Sequence, residues 1–312
     1  MTSPRYYPAL DVHWSGPGQP ETVDLLLATI DESSPTALEE REDGLRLFFS
    51  SDADRERARA LVDAGVPGAT TAAVAVSDES WAERSQAALQ PITVGRITVA
   101  PPWTITAAQQ RAIESAAESV IHRAGSLLPI VIAIQPSMGF GTGHHQSTRL
   151  CLQLLQQQNL QGRSVIDVGT GSGVLAMAAW RLGAHTVLAL DYDPDAVTSA
   201  RENIARNHAT GDVMLEVADI ARSAAGLAGR FDLLLANLTG GVLIRLASLL
   251  IATLADGGVL IASGFQADEA PSVFASLQSA GSVIESEATE DSWVAVALRR
   301  VISSSPSTST AR

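Results

Sequence analysis

The sequence predicts an α/β chain in two parts, a small α+β domain followed by a seven-stranded, doubly wound α/β domain. Three observations carry this reading. From Ser164 onward, short apolar strand patterns alternate with helical ones, the order that builds a parallel sheet covered on both faces. Between the first of these strands and its helix lies a glycine-rich loop, Gly169-Thr170-Gly171-Ser172-Gly173. Before residue 100 the order is instead β, α, β, β, α, β, the split pattern of ferredoxin-like domains.

In chain order, residues 5–14 read as a strand and 21–30 as a helix. Residues 37–50 read as two short strands joined through Glu42-Asp43-Gly44, where Asp-Gly is the hairpin signal. Asp52 to Asp63 carries alanine, leucine and arginine in helical rotation, and Thr70 to Val76 is a strand. Pro91 to Trp103 ends in Pro101-Pro102-Trp103, a stiff extended break. Ile105 to Ala124 then reads as a helix, with apolar residues at Ile105, Ala108, Ile113, Ala117, Val120 and Ile121. The boundaries that follow are 1–100 for the first domain, 101–135 for a connector, 136–301 for the second domain and 302–312 for a disordered tail containing Ser303-Ser304-Ser305-Pro306. Within the second domain the expected strands are Ser164–Val168, Thr186–Leu190, Met214–Ala218, Phe231–Ala236, Val259–Ser263, Ser282–Ala288 and Trp293–Arg299.

Composition narrows the chemistry. With 46% hydrophobic residues in 312, the chain can bury two cores. No apolar run approaches the ~20 residues needed to cross a bilayer, and no N-terminal signal pattern is present, so the expectation is a cytoplasmic protein without a membrane partner. The formal charge of -13 argues against direct nucleic-acid binding and for a basic partner. Residues 1–100 hold 16 Asp and Glu against 8 Arg and no catalytic cluster, which suits docking of such a partner. All 21 basic residues are arginine, so mechanisms that need a P-loop lysine or a Schiff base are excluded. The single cysteine, Cys151, sits in an apolar run and reads as a core residue, with neither a disulfide nor a cysteine zinc cluster available.

The glycine loop is the chemical centre. Asp167-Val168-Gly169-Thr170-Gly171-Ser172-Gly173 follows one strand and leads into the helix Val174 to Leu182. Glycines let the backbone turn and approach a ligand, and the helix start offers free N–H groups. Alone, the loop fits two cofactors, because Gly171-x-Gly173-x-x-Ala176 with Asp191 downstream also satisfies the dinucleotide fingerprint. The flanks separate them. Upstream lies a second glycine-rich loop, Gly139-Phe140-Gly141-Thr142-Gly143-His144-His145, and downstream the buried run Phe231 to Ala236 delivers Asn237 and Leu238 at a strand end.

Together these segments resemble the PrmA family, the bacterial methyltransferases of large-subunit ribosomal protein eleven. Pro136 to Thr148 is similar to that family's Phe-Gly-Thr-Gly-Thr-His-Pro-Thr-Thr signature. The cofactor loop, Asp191, Ala236-Asn237-Leu238 and Gly257 to Gly264 fall in the family's order, and Trp81-Ala82-Glu83, Val94-Gly95-Arg96 and Pro102-Trp103 resemble the end of its N-terminal domain. The resemblance implies a class I, Rossmann-like methyltransferase domain that binds S-adenosylmethionine through Thr148, Gly169, Asp191 and Asn237, with Gly171 and Gly173 completing the loop. Asp219 would meet the adenine side and Asn237 the methyl-transfer centre. The implied substrate is amino groups of ribosomal protein eleven. His144, Gln146 and Ser147 depart from the signature, as does Leu238-Thr239-Gly240, and these changes bear on substrate choice. His144-His145 lacks metal-ligand spacing and reads as loop packing or substrate contact. The rival readings are methylation of another protein or a small molecule, a nicotinamide-dependent oxidoreductase, and a noncatalytic cofactor-binding protein.

Overall fold

The computed structural model describes residues 6–14, 26, 35, 37–41, 44–77, 89–118, 129–136, 144–223 and 226–301. The chain forms two compact units, Met1–Ala88 and Leu89–Arg312.

In the first unit, β1 (Tyr6–Trp14), β2 (Ala37–Arg41), β3 (Gly44–Phe48), α1 (Asp52–Gly65) and β4 (Ala69–Ser77) follow the expected order. The four strands form one antiparallel sheet in the order β2-β3-β1-β4. Alternation explains its two faces. Leu10 and Val12 of β1 and Leu45 and Leu47 of β3 pack with Ala58 and Val62 of α1. Register partners Asp11 and Arg46 share the other face and form a two-pronged ion pair at 2.5 and 2.6 Å. Ser51 caps α1 by accepting the Asp54 N–H at 3.2 Å. The helix expected at 21–30 lies outside the described residues except for Leu26, which is helical and buried in the same core.

The second unit opens with structure that the sequence reading does not contain. β5 (Ile92–Val94) and β6 (Ile97–Ala100) form an antiparallel hairpin, and β7 (Ile130–Ala133) pairs with β6 in parallel. The residues leading to the expected break at Pro101-Pro102-Trp103 are therefore a hairpin, Pro102–Thr104 forms a 3-10 turn, and the connector includes a strand. The physical reason is burial, because Ile97, Val99 and Ile132 are almost wholly enclosed in the larger core. These strands group with the second unit, which begins at Leu89. α2 (Ala107–Glu118) occupies part of the expected 105–124 helix, and residues 119–124 lie outside the described ones.

The remaining elements are α3 (Gln146–Leu155), β8 (Ser164–Val168), α4 (Val174–Arg181), β9 (Thr186–Asp191), α5 (Pro194–Arg206), β10 (Val213–Val217), α6 (Ile220–Ser223), β11 (Phe231–Asn237), α7 (Gly240–Thr253), β12 (Leu254–Gln266), α8 (Ala270–Ser279), β13 (Ser282–Glu290) and β14 (Trp293–Arg300). Their sheet runs β10-β9-β8-β11-β12-β14-β13. It is mixed, which corrects the expectation of a parallel sheet. β8 to β12 are parallel, but β14 is antiparallel to both β12 and β13. Only Asp291 and Ser292 join β13 to β14, and a parallel pair needs a crossover of a dozen or more residues. Asp291 takes φ 52, which suits a tight hairpin.

Successive residues along each central strand face opposite layers. Val165, Val187, Leu233, Leu235 and Ile261 belong to the core shared with α3 and α4. Ile166, Leu188, Leu234, Ala236 and Leu260 belong to the core shared with α7 and α8. Each such leucine or isoleucine contributes about 1.5–3 kcal/mol by leaving water. This two-sided burial keeps β8 in the interior of the sheet, with β9 on one side and β11 on the other. There the chain reverses its direction of progress across the sheet, and a crevice opens beyond the strands' C-terminal ends.

Candidate functional site

The loop after β8 enters that crevice on glycines that other residues could not replace. Gly169 has φ 73, and a Cβ there would lie 2.5 Å from Cδ2 of Leu238. Gly173 has φ 83, starts α4, and would press a Cβ to 3.4 Å from that of Ala200. Gly171 also has positive φ, at 54°. The Gly169 and Thr170 N–H groups both donate to the Leu190 carbonyl at 2.9 Å, which ties the loop to the end of β9.

Under the loop lies Asp167, 1% exposed. It accepts from Thr170 Oγ1 at 2.7 Å and from the Ala176 N–H at 3.1 Å, so one carboxylate links the loop to the first turn of α4. Burial pushes its carboxyl up to about 7, against those two hydrogen bonds and with help from the charge of Asp191. The sequence reading quoted Asp167 within the loop and gave it no role.

Asp191 ends β9 almost fully buried. One carboxylate oxygen accepts the Gly171 N–H at 3.0 Å and the other accepts the Asp193 N–H at 3.1 Å. Both oxygens are thereby oriented, and each retains a lone pair for a ligand hydroxyl. Asn237 ends β11, in register with Ser263 of β12, and its Nδ2 donates to Thr148 Oγ1 at 3.3 Å. Thr148 is wholly buried in the first turn of α3. Of the residues expected from sequence, Thr148, Gly169, Gly171, Gly173, Asp191 and Asn237 gather at this strand-end crevice through these contacts. Asp219 shares none of these side-chain contacts, although the neighbouring Ala218 N–H donates to the Asp191 carbonyl at 2.8 Å. Asp219 is exposed, accepts the Ala221 N–H at 2.9 Å and faces Arg222 at 3.7 Å at the start of α6.

The segment 137–143, which holds the upstream glycines, lies outside the described residues, but the two histidines after it are placed. They serve different partners. His144 donates from Nε2 to the Gln90 carbonyl at 2.9 Å. His145 caps α3, its Nδ1 accepting the Ser147 N–H at 3.3 Å, and its ring meets Trp293 edge-on at 4.3 Å. Burial, with Arg149 nearby, holds the His145 imidazole below its ordinary pKa and so favours the neutral form that can cap. Arg149 fixes this helix start from beneath, donating to the His144 carbonyl and to Glu290 at 3.0 and 2.5 Å. Among the described residues no group of three or more His, Cys, Asp or Glu could hold a metal ion. Cys151 is buried in the core, where burial raises its thiol pKa well above the ordinary value.

Sequence reasoning also passed over Asn203 on α5 and Asn207 at its C-cap, both essentially unexposed. The signal was available, since Ala200, Asn203 and Asn207 are spaced to share one buried helix face, and amides on such a face need hydrogen-bond partners.

Comparison with known proteins agrees with this geometry. The family model described as ribosomal protein L11 methyltransferase (PrmA) matches residues 30–301. A ribosomal protein L11 methyltransferase of Pelotomaculum thermopropionicum is 38% identical over 234 residues, 75% of this chain and 70% of that protein. One from Geobacter metallireducens is 36% identical over 259 residues, covering 82% of this chain and 76% of that protein. Among solved structures, a ribosomal protein L11 methylase from Lactobacillus delbrueckii subsp. bulgaricus aligns with a TM-score of 0.57 and 28% identity, over 68% of this chain and all of that one.

The residues fit S-adenosylmethionine by their own chemistry. A fixed carboxylate at the β9 end suits a pair of ribose hydroxyls, a glycine backbone admits close approach, and Thr148 with Asn237 offers neutral hydrogen-bonding groups beside it. With the glycine cradle, the strand-end Asp191 and the Thr148–Asn237 pair in place, the chain belongs to the ribosomal protein L11 methyltransferase (PrmA) family and is an S-adenosylmethionine-dependent methyltransferase.

Proposed function

We propose that the enzyme methylates amino groups of large-subunit ribosomal protein L11, on lysine side chains, the N-terminal amine or both. The observation that carries this reading is the contact of Asn237 with Thr148 beside the glycine loop, in a chain whose relatives bear that protein's name. When bound, S-adenosylmethionine supplies a methyl group already activated by its sulfonium centre. The chain then has to hold the cofactor, orient the amine and exclude water. Asp191 takes the ribose hydroxyls, Gly169, Gly171 and Gly173 give the backbone room, and Asp219 faces the adenine side. Thr148 fixes the amide of Asn237, so that its oxygen accepts an N–H of the incoming amine and points the nitrogen lone pair into the site. The amine must arrive neutral, although a free lysine has a pKa of about 10.4. Apolar burial at the site lowers that value and favours loss of the proton to water.

The acidic N-terminal domain docks the basic protein substrate. Its sheet order, β2-β3-β1-β4 with every pair antiparallel, supports the ferredoxin-like reading of residues 1–100, and the seven strands of the larger sheet support the class I reading of residues 136–301. No described helix is long and apolar enough to cross a membrane. Purified protein L11 and labelled S-adenosylmethionine test the proposal. The wild type is expected to label it and Asn237→Ala to lose more than about a hundredfold in rate while still binding cofactor. Cofactor binding without any labelling of L11 would send the search to other proteins.

A further inference from the structure

Helix α5 touches the cofactor crevice at two places. At its start, Asp193 donates its N–H to Asp191 and caps the helix by accepting the Asp195 N–H at 2.9 Å. One helical face further on, Ala200 packs beneath Gly173, and Asn203 follows at i+3. The Asn203 amide is fully buried and committed on both sides. Its Oδ1 accepts the Gln135 N–H at 2.8 Å, and its Nδ2 donates to the Ser172 carbonyl at 3.1 Å. Since Gln135 N–H can only donate and the Ser172 carbonyl can only accept, the amide has one useful orientation. Asn207, one turn on, uses its amide otherwise. It pairs with both the N–H and the carbonyl of Ala133, at 2.8 and 2.7 Å, and donates to the Asn203 carbonyl at 2.8 Å.

The two asparagines therefore do different jobs with the same chemistry. Asn207 fastens α5 to β7 and reaches no cofactor residue. Asn203 joins the loop that carries Gly171 and Gly173 to the backbone just before residues 137–143, the glycine-rich stretch that precedes Thr148. We propose that Asn203 is a positioning residue for cofactor binding, a side-chain tie that holds the 169–173 loop, at Ser172, to the backbone at Gln135. This rests on the reading of Gly169 to Gly173 as the S-adenosylmethionine loop. A loop carbonyl released from Nδ2 would turn toward another donor, and the adjacent Gly171 and Gly173 would turn with it. The cost would then appear in cofactor affinity beyond any change in stability.

The paired variants Asn203→Asp and Asn207→Asp test this, because each keeps its acceptor, while the lost amide hydrogens remove one donated bond at Asn203 and two at Asn207. Calorimetric titration with S-adenosylmethionine and thermal unfolding are measured on both. Both variants are expected to melt lower, Asn207→Asp at least as much as Asn203→Asp, with affinity about tenfold or more weaker in Asn203→Asp and close to wild type in Asn207→Asp. Equal affinities in the two variants would overturn the inference, while wild-type protein that fails to bind would overturn the cofactor reading and the inference with it. If Asn203→Asp does not fold, amide exchange in the wild type decides. Cofactor should slow exchange at Gln135 together with residues 169–173 and leave Ala133 unchanged, whereas a Gln135 amide indifferent to cofactor would sink the proposal.

Discussion

The buried Asp167 carboxyl, pushed up to about 7, makes a stability claim whose sign follows from linkage. The folded state keeps a proton that the unfolded chain gives up near the ordinary carboxylate value of 3.8, so this residue favours folding most below that value. Its contribution is lost as pH rises from 3.8 toward about 7, by an amount on the order of a few kcal/mol. Asp167→Asn has the same shape, can accept from Ala176 and does not titrate. Urea unfolding across that pH range should give a flatter stability curve for the variant than for the wild type. Parallel curves would mean that Asp167 is ionised in the fold. The glycines beside it were legible in the sequence because their spacing is fixed by backbone geometry. The Asp167 shift was not, since burial belongs to the assembled layers.

At the scale of elements, the start of α3 carries Thr148 and is held by side chains remote in sequence. Gln146 reaches Asp291 at 3.2 Å, His145 rests on Trp293, and Arg149 joins Glu290 of β13. The ion pair is partly exposed, so alone it contributes about 1 kcal/mol or less. Arg149 also donates to the His144 carbonyl within the segment leading into the helix. Arg149→Met is therefore expected to lower the melting temperature more than Glu290→Gln, and to weaken cofactor binding through Thr148. Added salt should narrow the gap between wild type and Glu290→Gln. If the two variants were equally stable, the bond to the His144 carbonyl would contribute nothing. No local pattern in residues 144–149 indicates that β13 and the β13–β14 turn are their partners.

At the scale of the molecule, each unit has its own core, one built on Leu10, Leu47 and Val62 and the other on the two faces of the seven-stranded sheet. The residues proposed to hold the cofactor all belong to the second unit, whereas the acidic surface proposed to dock the substrate belongs to the first. Removal of residues 1–88 is thus expected to leave S-adenosylmethionine binding within about threefold of the full chain and to abolish methylation of protein L11. Retained methylation would assign docking to the larger unit.

The sequence by itself determined the repeating elements and their chemistry. The strand alternation that places Leu234 and Leu235 on opposite faces, the glycine loop after β8, and the carboxylate and amide at the ends of β9 and β11 are all local patterns, set by backbone sterics and side-chain period. The family signature added the cofactor and the expected substrate. Tertiary structure alone decided the rest. It made the sheet mixed, because a two-residue link leaves β14 no parallel route. It turned Ile97 to Ala100 and Ile130 to Ala133 into paired strands, because their apolar side chains enter a core supplied by distant segments. It also drew Asn203 to Ser172 and Gln135, since a buried amide takes its partners from whatever backbone the fold brings within reach.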